Sequence, residues 1–105
     1  MQEIEANINS TLQTQVVNLR VEPFDVYIGR PSKWGNPYTH LHRKDTIHVS
    51  SPEEAVTLYE EWIKERITAE PDKYNLDELR GKVLGCYCKP GVCHGDVLVK
   101  LADGE

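Results

Sequence analysis

The sequence predicts a small single-domain α/β protein with a partly parallel sheet flanked by helices. Short β-branched runs alternate with amphipathic helical stretches, in the order strand, strand, helix, strand, helix. The 105 residues suit one domain and leave little room for two. Apolar residues at 39% and charged residues at 28% give an ordinary packed-protein balance, which argues against wholesale disorder.

Residues 1–14 are polar, with Ile4, Ile8 and Leu12 at weak helical spacing, and are read as an extension to a domain spanning 15–105. Gln15 to Val21 alternates partly and is β-branched, so it is a strand that Pro23 interrupts. Phe24 to Ile28 is a second strand, ended by Gly29. Arg30 to Pro37 is dense in turn residues. Tyr38 to Ser50 is polar and His-rich, a loop with room for one strand.

Ser51-Pro52-Glu53-Glu54 is the clearest helix start: a capping serine, a proline at the first helical position and a glutamate that completes a capping box. Ala55, Val56, Tyr59, Trp62, Ile63 and Ile67 then define one buried face, which makes Trp62 a core residue, and Pro71 marks the end. Leu76 and Leu79 suggest a short helical turn before Arg80-Gly81. Lys82 to Tyr87 reads as a buried strand, Lys89-Pro90-Gly91 as a turn, and His94 to Leu101 as a closing helix.

Net charge is −5, so the molecule is not built to hold a nucleic-acid backbone. Yet no acid occurs from Val26 to Lys44, where Arg30, Lys33, Arg43 and Lys44 are basic. A local positive surface on an acidic protein suits a small anionic ligand; the competing reading is chance clustering in a loop. No apolar run reaches bilayer-spanning length and no signal-peptide pattern opens the chain, so a cytoplasmic protein with no membrane partner is expected.

The segment Gly85 to Asp96 concentrates the chemistry at a strand-to-helix turn. In open α/β sheets ligands bind outside the carboxyl ends of strands. If the strands ending at Ile28 and near Tyr87 are parallel neighbours, their following loops line one crevice. The amides of His94, Gly95 and Asp96 would then meet an anion at a helix start, with Arg30 and Lys33 as counter-charge. Trp34 would offer a stacking face for a base or sugar, with Ser32, Gly35 and Asn36 completing the binding loop.

Cys93 near that cap, beside His94 and Asp96, suits nucleophilic or acid–base chemistry, with the helix dipole and His94 lowering the thiol pKa. The plainer alternative is a small buried cysteine and a histidine bonded to backbone. All three cysteines fall between Cys86 and Cys93, a poor disulfide framework. With His94 they make a zinc alternative, Cys86, Cys88, Cys93 and His94. The spacing C-x-C-x4-C-H departs from the usual structural patterns, and adjacent ligands would strain a tetrahedron, so zinc ranks below anion binding. His40, His42 and His48 could add ligands but read more simply as solvated loop histidines.

The stretches Val26-Tyr27-Ile28-Gly29-Arg30-Pro31-Ser32-Lys33-Trp34-Gly35-Asn36-Pro37, Leu84-Gly85-Cys86-Tyr87-Cys88-Lys89-Pro90 and Cys93-His94-Gly95-Asp96-Val97-Leu98 resemble the domain-of-unknown-function 4326 family of phages and bacteria. Leu79-Arg80-Gly81-Lys82 and the helix from Pro52 to Trp62 fit as well, and the resemblance covers about Val16 to Ala102. Tyr87 stands where the family often has tryptophan. The family carries no settled activity to transfer. A phage origin implies host cytoplasm and adds a host protein as partner.

Two functions are therefore expected. One is a domain that binds a nucleotide-like or other phosphorylated small molecule at two strand-end loops, with hydrolase or transferase chemistry in view. The other is a non-enzymatic interaction protein with a structural Cys/His cluster, with or without zinc.

Overall fold

The computed structural model describes residues 13–89 and 91–104; the expected helical spacing at Ile4, Ile8 and Leu12 lies outside them. The expected architecture is present. Strands β1 (Gln15–Asn18), β2 (Val26–Tyr27) and β5 (Val83–Cys86) form one sheet in the order β1-β5-β2, parallel throughout. Between β2 and β5 come β3 (Tyr38–Thr39), β4 (Ile47–His48), helix α1 (Pro52–Ala69) and a 3-10 turn (Leu76–Glu78); α2 (His94–Ala102) follows β5.

The central strand β5 shows why this sheet packs on two faces. Leu84 and Cys86 point into the core, where Ile28, Tyr59, Ile63, Leu79 and Leu98 are fully buried. Gly85, on the opposite pleat, carries no side chain, and the Phe24 ring lies across it: a Cβ there would come within 2.6 Å of the ring. The β1–β2 connection is anchored by Asp25, whose N–H donates to the Val83 carbonyl (2.7 Å) and whose carboxylate accepts from the Val83 N–H (2.9 Å).

Helix α1 starts as its sequence dictates. Ser51 is the N-cap and its Oγ accepts from the Glu54 N–H at 3.0 Å. The return bond differs from the capping box expected: Glu54 accepts from the N–H and hydroxyl of Ser50, one residue earlier. Its inner face buries Ala55, Tyr59 and Ile63, with Trp62 half-buried between Tyr59 and Tyr74.

The segment from Tyr38 to Ser50 holds two dipeptide strands rather than one, paired in parallel with Tyr38 opposite Ile47 and Thr39 opposite His48. Thr14 is buried, donates to the Asp103 carboxylate at 2.7 Å and accepts from the Gly81 N–H, tying the β1 entrance to the end of α2.

Candidate functional site

Because β2 and β5 are parallel neighbours, both run toward the same edge, and the loops leaving them meet there. A cavity of about 380 Å³ lies between them. The first loop supplies Gly29, Arg30 and Asn36; the end of β5 supplies Cys86 and the turn after it Tyr87, Cys88 and Val92; His94 opens α2. The start of α1 and the segment from Tyr38 to Arg43 close the remaining wall. The crevice expected from topology is thus present.

Arg30 stands on the cavity wall and donates from Nη1 to the Asn36 carbonyl at 2.6 Å. A guanidinium has five N–H donors, so most remain for a ligand. Its stem packs where Gly35 has no side chain: a Cβ on Gly35 would lie 3.0–3.1 Å from Arg30 atoms. Gly35 therefore shapes the arginine and does not line the cavity. Asn36 is largely structural as well. Its buried amide donates to the Ala55 carbonyl (3.1 Å) and accepts from the Tyr38 N–H (2.9 Å), joining the loop to α1.

Several expected ligand residues point elsewhere. Trp34 is only 3% exposed and meets Tyr74 edge-on, so it is core and not a stacking face. Tyr59, its hydroxyl pushed up by burial, donates to the Trp34 carbonyl and holds that loop in place. Lys33 turns away to pair with Glu78 at 2.7 Å and to donate to the Lys73 carbonyl. Ser32 Oγ is buried with no hydrogen-bond partner among the described residues and does not line the cavity.

The helix start also differs from the anion site expected. Gly95 faces the sheet, and its N–H donates to Cys93 Sγ at 3.3 Å; the Asp96 N–H donates to the Cys93 carbonyl. Those amides serve the cap and are not offered to the crevice. Asp96 leaves the site altogether, paired with Lys89 at 2.8 Å, and this bond holds the Lys89 ammonium above its ordinary pKa.

Cys93 is the N-cap of α2 and only 1% exposed, so it is no accessible nucleophile. Hydrogen bonding to Cys86 and Cys88 raises its pKa instead of lowering it, while hydrogen bonding to Cys88 and to Cys93 lowers that of Cys86. His94, 6% exposed, is held neutral by burial. Its Nε2 lies 2.8 Å from the Ile28 carbonyl and its Nδ1 4.0 Å from Cys93 Sγ. Asp96 takes no part in orienting it.

What the turn does assemble is a sulfur cluster. Cys86 and Cys93 Sγ are 2.8 Å apart, Cys88 and Cys93 3.1 Å, and Cys86 and Cys88 3.8 Å. Among the described residues this is the one such grouping of three metal-competent side chains. The three cysteines meet despite their unusual spacing because β5 ends at Cys86 and the chain turns back, placing the cap residue of α2 against the strand end.

Sequence reasoning missed other parts of the cavity: Arg43, His40, Tyr27 and Tyr38. Arg43 stood out only as a charge; Tyr38 followed directly on the expected binding loop. Tyr27 donates to the Arg30 carbonyl at 2.6 Å and meets Tyr87 edge-on, and Arg20 covers the Tyr87 ring. No carboxylate lines the cavity among the described residues.

Fold and site define a small parallel α/β domain with a cationic, thiol-walled cavity at its strand ends. The chain belongs to the family described as Domain of unknown function (DUF4326), whose model matches residues 12–104. It is 40% identical over 90 residues to a protein of Enterobacteria phage T4 described as an uncharacterized 12.4 kDa protein in the nrdA-td intergenic region, covering 85% of this chain and 77% of that one. No solved structure matches the chain. The resemblance seen in the two loop motifs is therefore a family membership, and it reaches slightly beyond Val16 and Ala102 at either end. Among the described residues no helix is long and apolar enough to cross a membrane.

Proposed function

We propose that this chain binds a small anionic, nucleotide-like molecule in the strand-end cavity. Its phosphate or carboxylate would be held by Arg30 and Arg43, and its flat part would lie against the tyrosines that replace Trp34 in that role. One observation carries the reading: in a chain of net charge −5, the cavity has two guanidiniums on its wall and no carboxylate among its described lining residues. A cleft of one charge sign raises the local concentration of the opposite ion, and arginine suits bidentate oxyanion binding. The proposal is one of binding. Cys93 and Asp96, the expected nucleophile and acid–base partner, do not line the cavity.

Calorimetric titration with adenosine, AMP, ATP and inorganic phosphate tests it. The phosphorylated compounds should bind and adenosine should not. Arg30→Gln and Arg43→Gln should each weaken AMP binding by roughly 10–100-fold, the loss of about 1.5–3 kcal/mol expected for a charged hydrogen bond. Equal affinity for adenosine and AMP, or a double variant that binds AMP like the parent, would sink the reading.

A second reading, an interaction protein built round a structural Cys/His cluster, is favoured by one observation. The three sulfurs converge between β5 and α2, and two of them, Cys86 and Cys93, are buried.

A further inference from the structure

We propose that Cys86, Cys88 and Cys93, completed by Nδ1 of His94, form a zinc site that ties the end of β5 to the start of α2. This goes beyond the cavity reading and does not depend on it.

The sulfur geometry comes first. Three sulfurs that all lie within 4.8 Å of one another make a point, not a pair. The closest two, 2.8 Å apart, are far from the roughly 2.05 Å of a disulfide. A tetrahedral zinc with Zn–S of about 2.3 Å separates its sulfurs by roughly 3.8 Å. Cys86 and Cys88 already stand 3.8 Å apart, and Cys93 needs to move off its partners by about 1 Å or less.

His94 supplies the independent observation. Its Nε2 is within hydrogen-bond distance of the Ile28 carbonyl, which can only accept. Nε2 must therefore carry the proton, and Nδ1 keeps the lone pair. That nitrogen, with its lone pair free in the neutral ring, is 4.0 Å from Cys93 Sγ. A metal-bound histidine whose other N–H is fixed by a backbone carbonyl is the usual outer-shell arrangement. The Gly95 N–H donating to Cys93 Sγ stabilises charge on that sulfur in the same way.

Three thiolates and one imidazole form a Cys₃His set, which selects zinc among the common cations. Cys86 and Cys93 are buried, whereas Cys88 is exposed and lines the cavity, giving an ion a route in. Binding forms three Zn–S bonds and one Zn–N bond; each thiol still protonated releases its proton to solvent, and nothing is oxidised or reduced.

The test uses the full chain purified under reductant without chelator. Elemental analysis should find about one zinc per chain. X-ray absorption at the zinc edge should resolve a shell of three sulfurs and one nitrogen. Cobalt added to chelated protein should give the sulfur-to-metal charge transfer and intense visible bands of a tetrahedral thiolate site. Cys88→Ser, at the exposed position, should lose cobalt affinity on the order of 100-fold, while Asp96→Asn keeps it. Metal-free protein that takes up no cobalt, a zinc shell without sulfur, or a Cys88→Ser variant that binds like the parent would each overturn the site. Metal-free protein that takes up no cobalt yet still binds AMP would overturn this inference and leave the cavity reading standing.

Discussion

At Gly95 a missing side chain sets how closely α2 approaches the sheet. A Cβ there would fall 2.6 Å from Val16 Cγ2 and 2.9 Å from Ile28 Cδ1, inside any real contact distance. Ile28 is fully buried and has little room to yield. In Gly95→Ala, helix propensity would contribute up to about 1 kcal/mol of stability, but forced overpacking costs typically 1–3 kcal/mol. The variant should therefore be less stable by up to about 2 kcal/mol in urea unfolding, with cavity binding unchanged at saturating folded protein. A more stable variant would show that this contact is not tight. The same residue shows why roles were hard to read at this scale. A glycine at a helix start looks alike whether it admits a phosphate or a neighbouring strand. The difference lies in Val16, far away in sequence. Trp34 and Lys33 failed for the same reason: Tyr74 and Glu78, their partners, lie about forty residues downstream. Arg30 was legible because its loop directly follows a strand.

Helix α1 was legible nearly to the residue, since its signals are contiguous. Ser51 caps, Pro52 fits the first turn, and the closing N–H of Glu70 bonds the Arg66 carbonyl just before Pro71. Ser51→Ala should destabilise the domain by about 1 kcal/mol through the lost cap, read as a lower urea midpoint at constant slope. Ser51→Asp, which keeps an acceptor, should restore most of it. Glu54 adds a pH dependence. The two bonds from Ser50 hold its carboxylate below its ordinary value of 4.5. A group depressed in the folded state contributes stability that is fully present above that value. The contribution is lost as the pH falls through the lower folded one. The acid limb of the stability profile should flatten in Glu54→Gln; an unchanged limb would place the bonds in both states. By contrast β3 and β4 were illegible as a pair. Two residues carry no periodicity, and their pairing exists only because Ile47 N–H reaches the Pro37 carbonyl and Val49 N–H that of Thr39.

On the scale of the molecule, one topological rule did most of the work. Parallel strands joined through helices bring their carboxyl ends to one edge, so two loops more than fifty residues apart in sequence could be placed on one cavity. What the rule cannot supply is the side-chain orientation that decides between a reactive thiol and a metal ligand. The consequences of a metal for the whole fold can be argued from the core. Ile28, Tyr59, Ile63, Leu79, Leu84 and Leu98 are fully buried and bury one another across α1, α2 and the sheet, with Cys86 and Cys93 buried in the same cluster and Cys88 exposed. Collapse therefore does not wait for zinc, as it does in a zinc finger, where little else is buried. Zinc binding only the folded state at a hundred times its dissociation constant adds about 2.7 kcal/mol. In a domain of this size each kcal/mol moves the midpoint by about 4–8 °C. Chelation should then lower Tm by roughly 10–20 °C while leaving one cooperative transition and the helical circular dichroism intact at 25 °C, and added zinc should restore it. Outright unfolding on chelation would show that the core is not self-sufficient. A midpoint that neither chelator nor zinc moves would show that the native protein carries no metal at these sulfurs.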